Sequence, residues 1–197
     1  MSILDSLIAD LPDGMVVTDP TITEGYRQDR ALDPAAGKPL AVVRPLATEH
    51  VQTVMRWASA HRVPVVPRGA GSGLSGGATA LDEGIVLSTE KMRDITVDPV
   101  TRTAVCQPGI FNAEVKKAVA EHDLWYPPDP SSFEICSIGG NIATNAGGLC
   151  CVKYGVTTDY VLGMRAVMGG PAGYGNAVRL GRRTAKGVAG LDLCGLM

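Results

Sequence analysis

A chain of 197 residues, 45% hydrophobic and 19% charged, has material for one good-sized domain or two small subdomains around a packed core. A net charge of -2 and a pI near 5.9 carry no basic footprint for nucleic acid. No apolar run reaches membrane-spanning length, and the N-terminal MSILDSLIADLPDG lacks the basic region of a signal peptide.

Taken in order, MSILDSLIADLPDG reads as a short amphipathic helix ended by Pro12 and Gly14. Residues 18–39 are polar and turn-rich, so 1–39 forms a lead-in to a domain spanning 40–197. A strand over 40–44 is closed by Pro45, and Thr48 is a candidate N-cap for a helix with Val51, Val54, Met55 and Ala58 on one face. HRVPVV (61–66) reads as a buried strand, which makes a strand-helix-strand unit suited to a parallel pair. GIVLS (84–88) is another strand. ITV (95–97) and TAVCQ (103–107) make a hairpin about Asp98-Pro99. Asn112 is a candidate cap for a helix carrying Val115, Ala118 and Val119 and ending near His122. YVLGMRAVM (160–168) and NAVRL (176–180) read as a second hairpin. The expected class is α+β, a parallel unit followed by a mainly antiparallel part with helices.

Between the second and third of these strands lies PRGAGSGLSGG (67–77), where glycine recurs so often that the backbone is nearly bare. Such a loop lets a ligand approach the main chain, and phosphate is the usual guest. Gly71 to Gly76 satisfies G-x-G-x-x-G, and Glu90 lies at a strand end farther on, as in a Rossmann site. Only GATALDE separates Gly76 from the next strand, too little for a crossover helix of roughly 10–12 residues. The Rossmann reading therefore fails, and a wrapped loop remains, whose successive N–H groups make a concave anion site. Ser72 and Ser75 add hydroxyl donors, and Arg68 a cation at its start.

The device recurs in SIGGNIATNAGG (137–148), where Gly147-Gly148 reads as the stop of a short helix. Just upstream, Asp129 is held stiffly between prolines in PPDPSS. Two bare backbone surfaces suit an elongated ligand. Five cysteines without a C-x-x-C pair and three scattered histidines argue for reduced thiols, against a disulfide framework and against a metal site. Trp57 and Trp125 read as packing residues, Cys136 and Cys151 as packed thiols, and Cys150 as an exposed one.

VPVVPRGAGSGLSGG, YPPDPSS, ICSIGGNIATNAGG, CVKYGVTTDYVLGMRAV and GRRTAKGVAGLDL, in this order from about residue 40 to the end, resemble the FAD-binding PCMH-type domain of the vanillyl-alcohol oxidase superfamily. The resemblance is nearest to the glycolate oxidase catalytic subunit and the FAD-linked D-lactate dehydrogenases. It implies two α+β subdomains with FAD stretched between them, and oxidation of a D-2-hydroxy acid by hydride transfer to flavin N5.

Arg68, Gly69, Ala70, Gly71, Ser72, Gly73, Leu74 and Ser75 would wrap the diphosphate. Pro128, Asp129, Ile138, Gly139 and Gly140 would line the ribityl and flavin region, continued by Thr144, Asn145 and Gly148. Tyr154, Gly155 and Val161 would sit near the diphosphate or adenine end. Ser72 stands where some members attach FAD through histidine, which implies non-covalent FAD. No catalytic base is found in the chain, in keeping with a family whose base and any metal ligands lie in a C-terminal cap. The chain stops at Cys194-Gly195-Leu196-Met197, where members continue with another glycine-rich strand and the cap. A truncated remnant or one half of a split enzyme is therefore the alternative to a working dehydrogenase. An NADPH-dependent enolpyruvyl reductase is the rival inside the superfamily. The implied partners are a small 2-hydroxy acid and an electron acceptor. The implied location is cytoplasmic, with peripheral membrane association open, since some relatives deliver electrons to respiratory quinones or cytochromes.

Overall fold

A computed structural model describes residues 2–184, 186–188 and 190–197. Its first part is a four-stranded sheet in the order β1-β2-β4-β3, from β1 (Val16–Val17), β2 (Ala41–Val43), β3 (Val65–Arg68) and β4 (Ile85–Ser88). β4 is parallel to β2 on one side and to β3 on the other, while β1 runs antiparallel to β2. The strand-helix-strand unit therefore makes parallel strands, but not neighbours: the strand after the glycine loop inserts between them.

Alternation along the strands divides the core in two. Ala41, Val43, Ile85 and Leu87 face Leu4, Leu7, Leu11, Met15, Val54, Trp57 and Ala58, whereas Val42 and Val86 pack with Val17, Ala80 and Tyr26 on the other face. A sheet covered on both faces selects continuous apolar runs, which is why AVV and IVL look uninterrupted in sequence. The lead-in is part of this body. α1 (Asp5–Ala9) and its flanks supply leucines to the core, and Val16–Val17 add an edge strand that short length and a polar surround hid in the sequence.

α2 (Pro20–Thr23) is a single turn capped by Asp19, whose carboxylate accepts the Thr21 N–H at 2.8 Å. α3 (Thr48–His61) carries the expected face, with Trp57 added to it; the indole N–H donates to Ser6 Oγ at 2.9 Å. Thr48 is the first helical residue, not the cap, a position held by Ala47 without a side-chain bond. The helix ends at Arg62 in the left-handed conformation (φ 57°).

The second part begins with the hairpin β5 (Ile95–Asp98) and β6 (Thr103–Cys106), whose turn Asp98 organises by accepting the Val100 and Thr101 N–H groups. α4 (Asn112–Ala120) follows, with Val115 and Val119 packed on Ile110 and Ile138. Its cap position belongs to Phe111, whose N–H is taken by Glu114 at 2.9 Å. Asn112 is instead buried inside the first turn, reaching the Pro128 carbonyl.

α5 (Ile138–Ala143) closes this core and stops before the expected Gly147-Gly148: Thr144 is the C-cap and Asn145 takes the left-handed conformation (φ 46°). α6 (Cys151–Tyr154) leads to a second hairpin, β7 (Gly163–Val167) with β8 (Ala177–Gly181), joined through α7 (Gly170–Gly173); α8 (Leu193–Leu196) is the last element. β7 begins later than expected, because Thr157–Tyr160 forms a 3-10 turn. The class is α+β, parallel first and antiparallel after.

Candidate cofactor site

Residues 69–84 join the parallel neighbours β3 and β4 without a helix, so the crossover itself is the glycine loop. Among the described residues, the N–H groups of Gly69 and of Gly71 through Gly77 meet no protein acceptor. Backbone donors are rarely left without partners unless solvent or a ligand meets them, and a run of them is the makings of an anion nest. Two glycines supply backbone that other residues resist: Gly71 and Gly76 have φ of 69° and 74°.

The second glycine cluster lies against the first. Ala70 N–H donates to the Ser137 hydroxyl at 3.2 Å. A Cβ on Gly69 would strike that hydroxyl and come 3.5 Å from Gly140 N. Gly139 is equally confined, since a Cβ there would fall 2.7 Å from Pro108 Cβ, while its N–H donates to the Pro108 carbonyl at 2.8 Å. These glycines permit the segments to pack at distances that side chains would forbid.

The other expected residues continue this wall by direct contact. Ile138 is buried in the second core, and Thr144 Oγ1 donates to the Gly140 carbonyl. Asn145 Oδ1 takes the N–H and hydroxyl of Thr158 at 3.0 and 2.7 Å, and Thr157 binds the Ala146 carbonyl through both its donors. That staple draws in the segment of Tyr154, Gly155 and Val161. Tyr154 packs edge-on against Trp125 at 4.8 Å, and its carbonyl accepts the Tyr160 hydroxyl. Gly155 (φ 86°) leaves room for the Asp159 carboxylate, and Val161 is half-buried beyond the turn. Pro128 is fully buried. Asp129 sits on Gly148, where a Cβ would clash with both its carboxylate and its main chain, and it accepts the Cys150 N–H at 3.4 Å. Ser72 and Gly73 are half-buried; Leu74 and Ser75 are exposed.

Arg68 stands at the base of the loop, at the end of β3. It is 8% exposed, and its guanidinium donates to the Gln28 carbonyl at 2.9 Å, with Tyr26 and Ala78 carbonyls at 3.4 Å. Burial lowers its pKa, and the nearby Asp29, Tyr26 and Glu90 oppose that shift. These three contacts all use Nη1, while Nη2 lies on the loop side, where a Cβ on Gly71 would strike it.

Sequence reasoning missed Ser137, because a serine before Ile-Gly-Gly gives no sign that its hydroxyl will meet residue 70. It also missed a cleft of about 470 Å³ beside Gly69 and Ala70, lined further by Tyr26, Glu90, Phe111 and Ile135. Glu90, which a Rossmann reading would give to a ribose, instead accepts the Tyr26 hydroxyl at 2.9 Å and lies 3.6 Å from Arg44. Burial, then the bond and charge of Glu90, push the Tyr26 phenol upward, against the pull of Arg44.

Residues 39–173 match the model of the FAD binding domain family. The chain belongs to that family. It is 44% identical over 156 residues to the glycolate oxidase subunit GlcD of Bacillus subtilis, covering 79% of this chain and 32% of that protein. It is 39% identical to a D-lactate dehydrogenase of Archaeoglobus fulgidus, over 89% of this chain and 39% of that protein. With a D-2-hydroxyglutarate dehydrogenase of Stutzerimonas stutzeri it shares 37% identity over 98% of this chain and 40% of the relative. The chain thus spans about a third to two-fifths of these relatives. Among solved structures, alkyldihydroxyacetonephosphate synthase superimposes with a TM-score of 0.83 at 23% identity, over 98% of this chain and 36% of that one. The grass pollen allergen Phl p 4 does so with 0.76 at 23% identity, over 90% and 37%. These likenesses give the fold, and the family gives FAD as the cofactor to be accommodated. The glycine cradle and its unpaired N–H groups fit a diphosphate. No helix of the described residues is long and apolar enough to cross a membrane.

Proposed function

We propose that this chain is the FAD-binding portion of a flavin-dependent oxidoreductase acting on a D-2-hydroxy acid of the glycolate or D-lactate type. The carrying observation is the run of unpaired N–H groups at Gly69 and Gly71–Gly77, set against the Ser137–Gly140 backbone. Residues Gly69 to Ser75, with Arg68 at their base, would hold the diphosphate. Pro128, Asp129, Ile138–Gly140, Thr144, Asn145 and Gly148 would flank the ribityl and flavin portion. Tyr154, Gly155 and Val161 would stand toward the diphosphate or adenine end.

Bound FAD supplies a hydride acceptor at N5, and the protein orients it. The chain's own residues hold the dinucleotide through main-chain donors whose field is aimed before the ligand arrives. Ser72 offers a hydroxyl where a covalent link would need a nucleophilic ring, which supports non-covalent FAD. His50 and His61 are engaged on α3, His50 Nδ1 with the Leu46 N–H and His61 Nδ1 with the Trp57 carbonyl, so neither is assigned as the substrate base. The substrate, the base, the electron acceptor and a cytoplasmic site of action belong to this proposal through the relatives' names and the family resemblance. A second reading rests on the coverage of those relatives: a chain spanning 32–40% of their length that binds FAD without turnover, or works as one half of a split enzyme.

The test is a visible absorption spectrum of the purified chain, with identification of any cofactor released by denaturation. Stoichiometric FAD is expected. A protein that stays colourless after incubation with FAD defeats the proposal. With a C-terminal cap segment supplied, flavin bleaching by glycolate or D-lactate, and not by NADPH, then separates the dehydrogenase from the binding-only reading and from a reductase.

A further inference from the structure

The matched family region begins at residue 39, yet the glycine loop is bound from behind by residues that precede it. Asp29 is 5% exposed. Its Oδ1 accepts the Ala31 N–H at 2.9 Å, and its Oδ2 accepts the Ala78 N–H at 3.3 Å. A Cβ on Gly73 would lie 3.8 Å from the same Oδ2. Next to it, Arg30 N–H donates to the Gly73 carbonyl at 3.0 Å, and Ala80 N–H to the Arg27 carbonyl at 2.8 Å. Arg68 completes the arrangement from β3, its guanidinium bound to carbonyls on both sides: Tyr26 and Gln28 in the lead-in, Ala78 in the loop.

A buried carboxylate and a buried guanidinium are each costly alone; here the charge of Asp29 opposes the desolvation of Arg68, and main-chain groups meet polar atoms of both. The pairing has a further effect at the loop. The bonds from the lead-in use the Gly73 carbonyl and the Ala78 N–H, and leave the donors from Gly71 to Gly77 unspent. The loop is fixed by the groups that a bound anion would not use.

We infer that Asp29 and Arg68 are positioning residues, which hold loop 69–78 from behind in its anion-receptive form and make the lead-in segment a working part of the cofactor site. This rests on the FAD reading above for the ligand, but not for the brace itself. Two readouts separate them. In the unliganded chain, Asp29→Ala should raise amide exchange about tenfold or more at Arg30, Thr79 and Ala80, whose N–H groups are bonded to the Gly73, Gly76 and Arg27 carbonyls, with the exchange of β2 and β4 unchanged. In titrations followed by flavin fluorescence, the same variant should weaken FAD about tenfold and riboflavin, which has no diphosphate, by less than twofold. Asp29→Asn, which keeps a carbonyl acceptor, should recover most of the loss. Arg68→Met should resemble Asp29→Ala.

Unchanged exchange with FAD affinity within twofold of the parent overturns the inference. So does an equal weakening of FAD and riboflavin, which marks general loosening. If the parent takes up no flavin, the FAD reading has failed and local exchange alone decides the brace. If Asp29→Ala does not fold, Asp29→Asn is read in the same two assays against the same criteria.

Discussion

β2 and β4 bury every residue they contain, whereas Thr96 and Asp98 of β5 and Ala104 and Val105 of β6 are exposed. The first sheet is a filling between two apolar layers; the hairpins are covered on one side. The glycine loop grows out of the first, between β3 and β4, and α5 belongs to the second. The proposed cofactor site would lie where a doubly packed wall meets a singly packed one, and the two glycine clusters touch at Gly69, Ala70 and Ser137. Local opening is costliest where apolar contact is densest, so the two walls should answer differently to equal chemical insults.

The largest difference is expected from matched truncations. Ile85 is fully buried in β4, and Ile95 is half-buried on the core side of β5. Ile85→Ala should cost about 2–5 kcal/mol, the range for a deleted core side chain, and Ile95→Ala about half of that. Urea unfolding followed by circular dichroism reads both. Equal losses would mean that the hairpin is as deeply seated as the sheet.

Next comes the contact that closes the wall around Asp129. A methyl group at Gly148 would press on the Asp129 carbonyl carbon at 2.5 Å, and main chain cannot swing away as a side chain can. Gly148→Ala should therefore destabilise by about 1–3 kcal/mol through overpacking, and it should also lower FAD uptake. Gly77→Ala is the control for the stability loss alone, since a Cβ there meets nothing within 4 Å.

A smaller effect should appear at alkaline pH in the second core. Burial raises the Tyr126 phenol to about 12, with Cys106 adding to the shift and the bond with Thr157 opposing it. Unfolded, the same phenol ionises near 10. The unfolded chain then releases a proton that the native chain keeps, so stability falls as pH rises from 10 through 12. Tyr126→Phe should flatten that limb in a series of melts, and tyrosinate absorbance of the folded chain should show one phenol titrating late.

How much of this was legible follows the range of each signal. The strands over 41–43, 65–68 and 85–88, both hairpins and the face of α3 rest on local periodicity, and they stand where the sequence places them to within a few residues. The missing crossover helix was also readable, because it is a matter of chain length. The caps were not. Thr48 and Asn112 are residue types that favour the position, but the caps fall one residue earlier, at Ala47 and Phe111, and Thr48 and Asn112 are the first helical residues. Asn112 is drawn inward by Pro128, a contact 16 residues away. β1 was invisible because two valines carry no period. Among candidate site residues, the glycines could be found from composition. The orientation of Arg68 could not, since it depends on carbonyls 40 and 42 residues distant, and neither could the roles of Ser137 and Asp29.

The smallest expected effect lies at the start of α4, where the second wall depends on one charge. Glu114 accepts the Phe111 N–H and an Arg93 donor at 2.6 Å, and the guanidinium also lies over the Phe111 ring at 4.2 Å. Partial burial pushes the carboxyl up, but the Phe111 N–H and Arg93 together outweigh it and hold it below its usual 4.5. A carboxylate depressed in the folded state stabilises above that value, and the contribution is lost as pH falls through the folded pKa. The pair is largely exposed, with side chains 38% and 46% accessible, so solvent screens it and the contribution is of surface size. Glu114→Gln should cost about 0.5–1 kcal/mol at neutral pH and reduce the loss of stability below pH 4.5. Because α4 packs on Ile138 of α5, any change in flavin affinity should follow the same acid limb. An Ile85→Ala chain should keep that limb intact, because its lesion lies in the sheet and not at the cap. If both variants lose it, the two walls are one cooperative unit, and their different packing does not divide their stability.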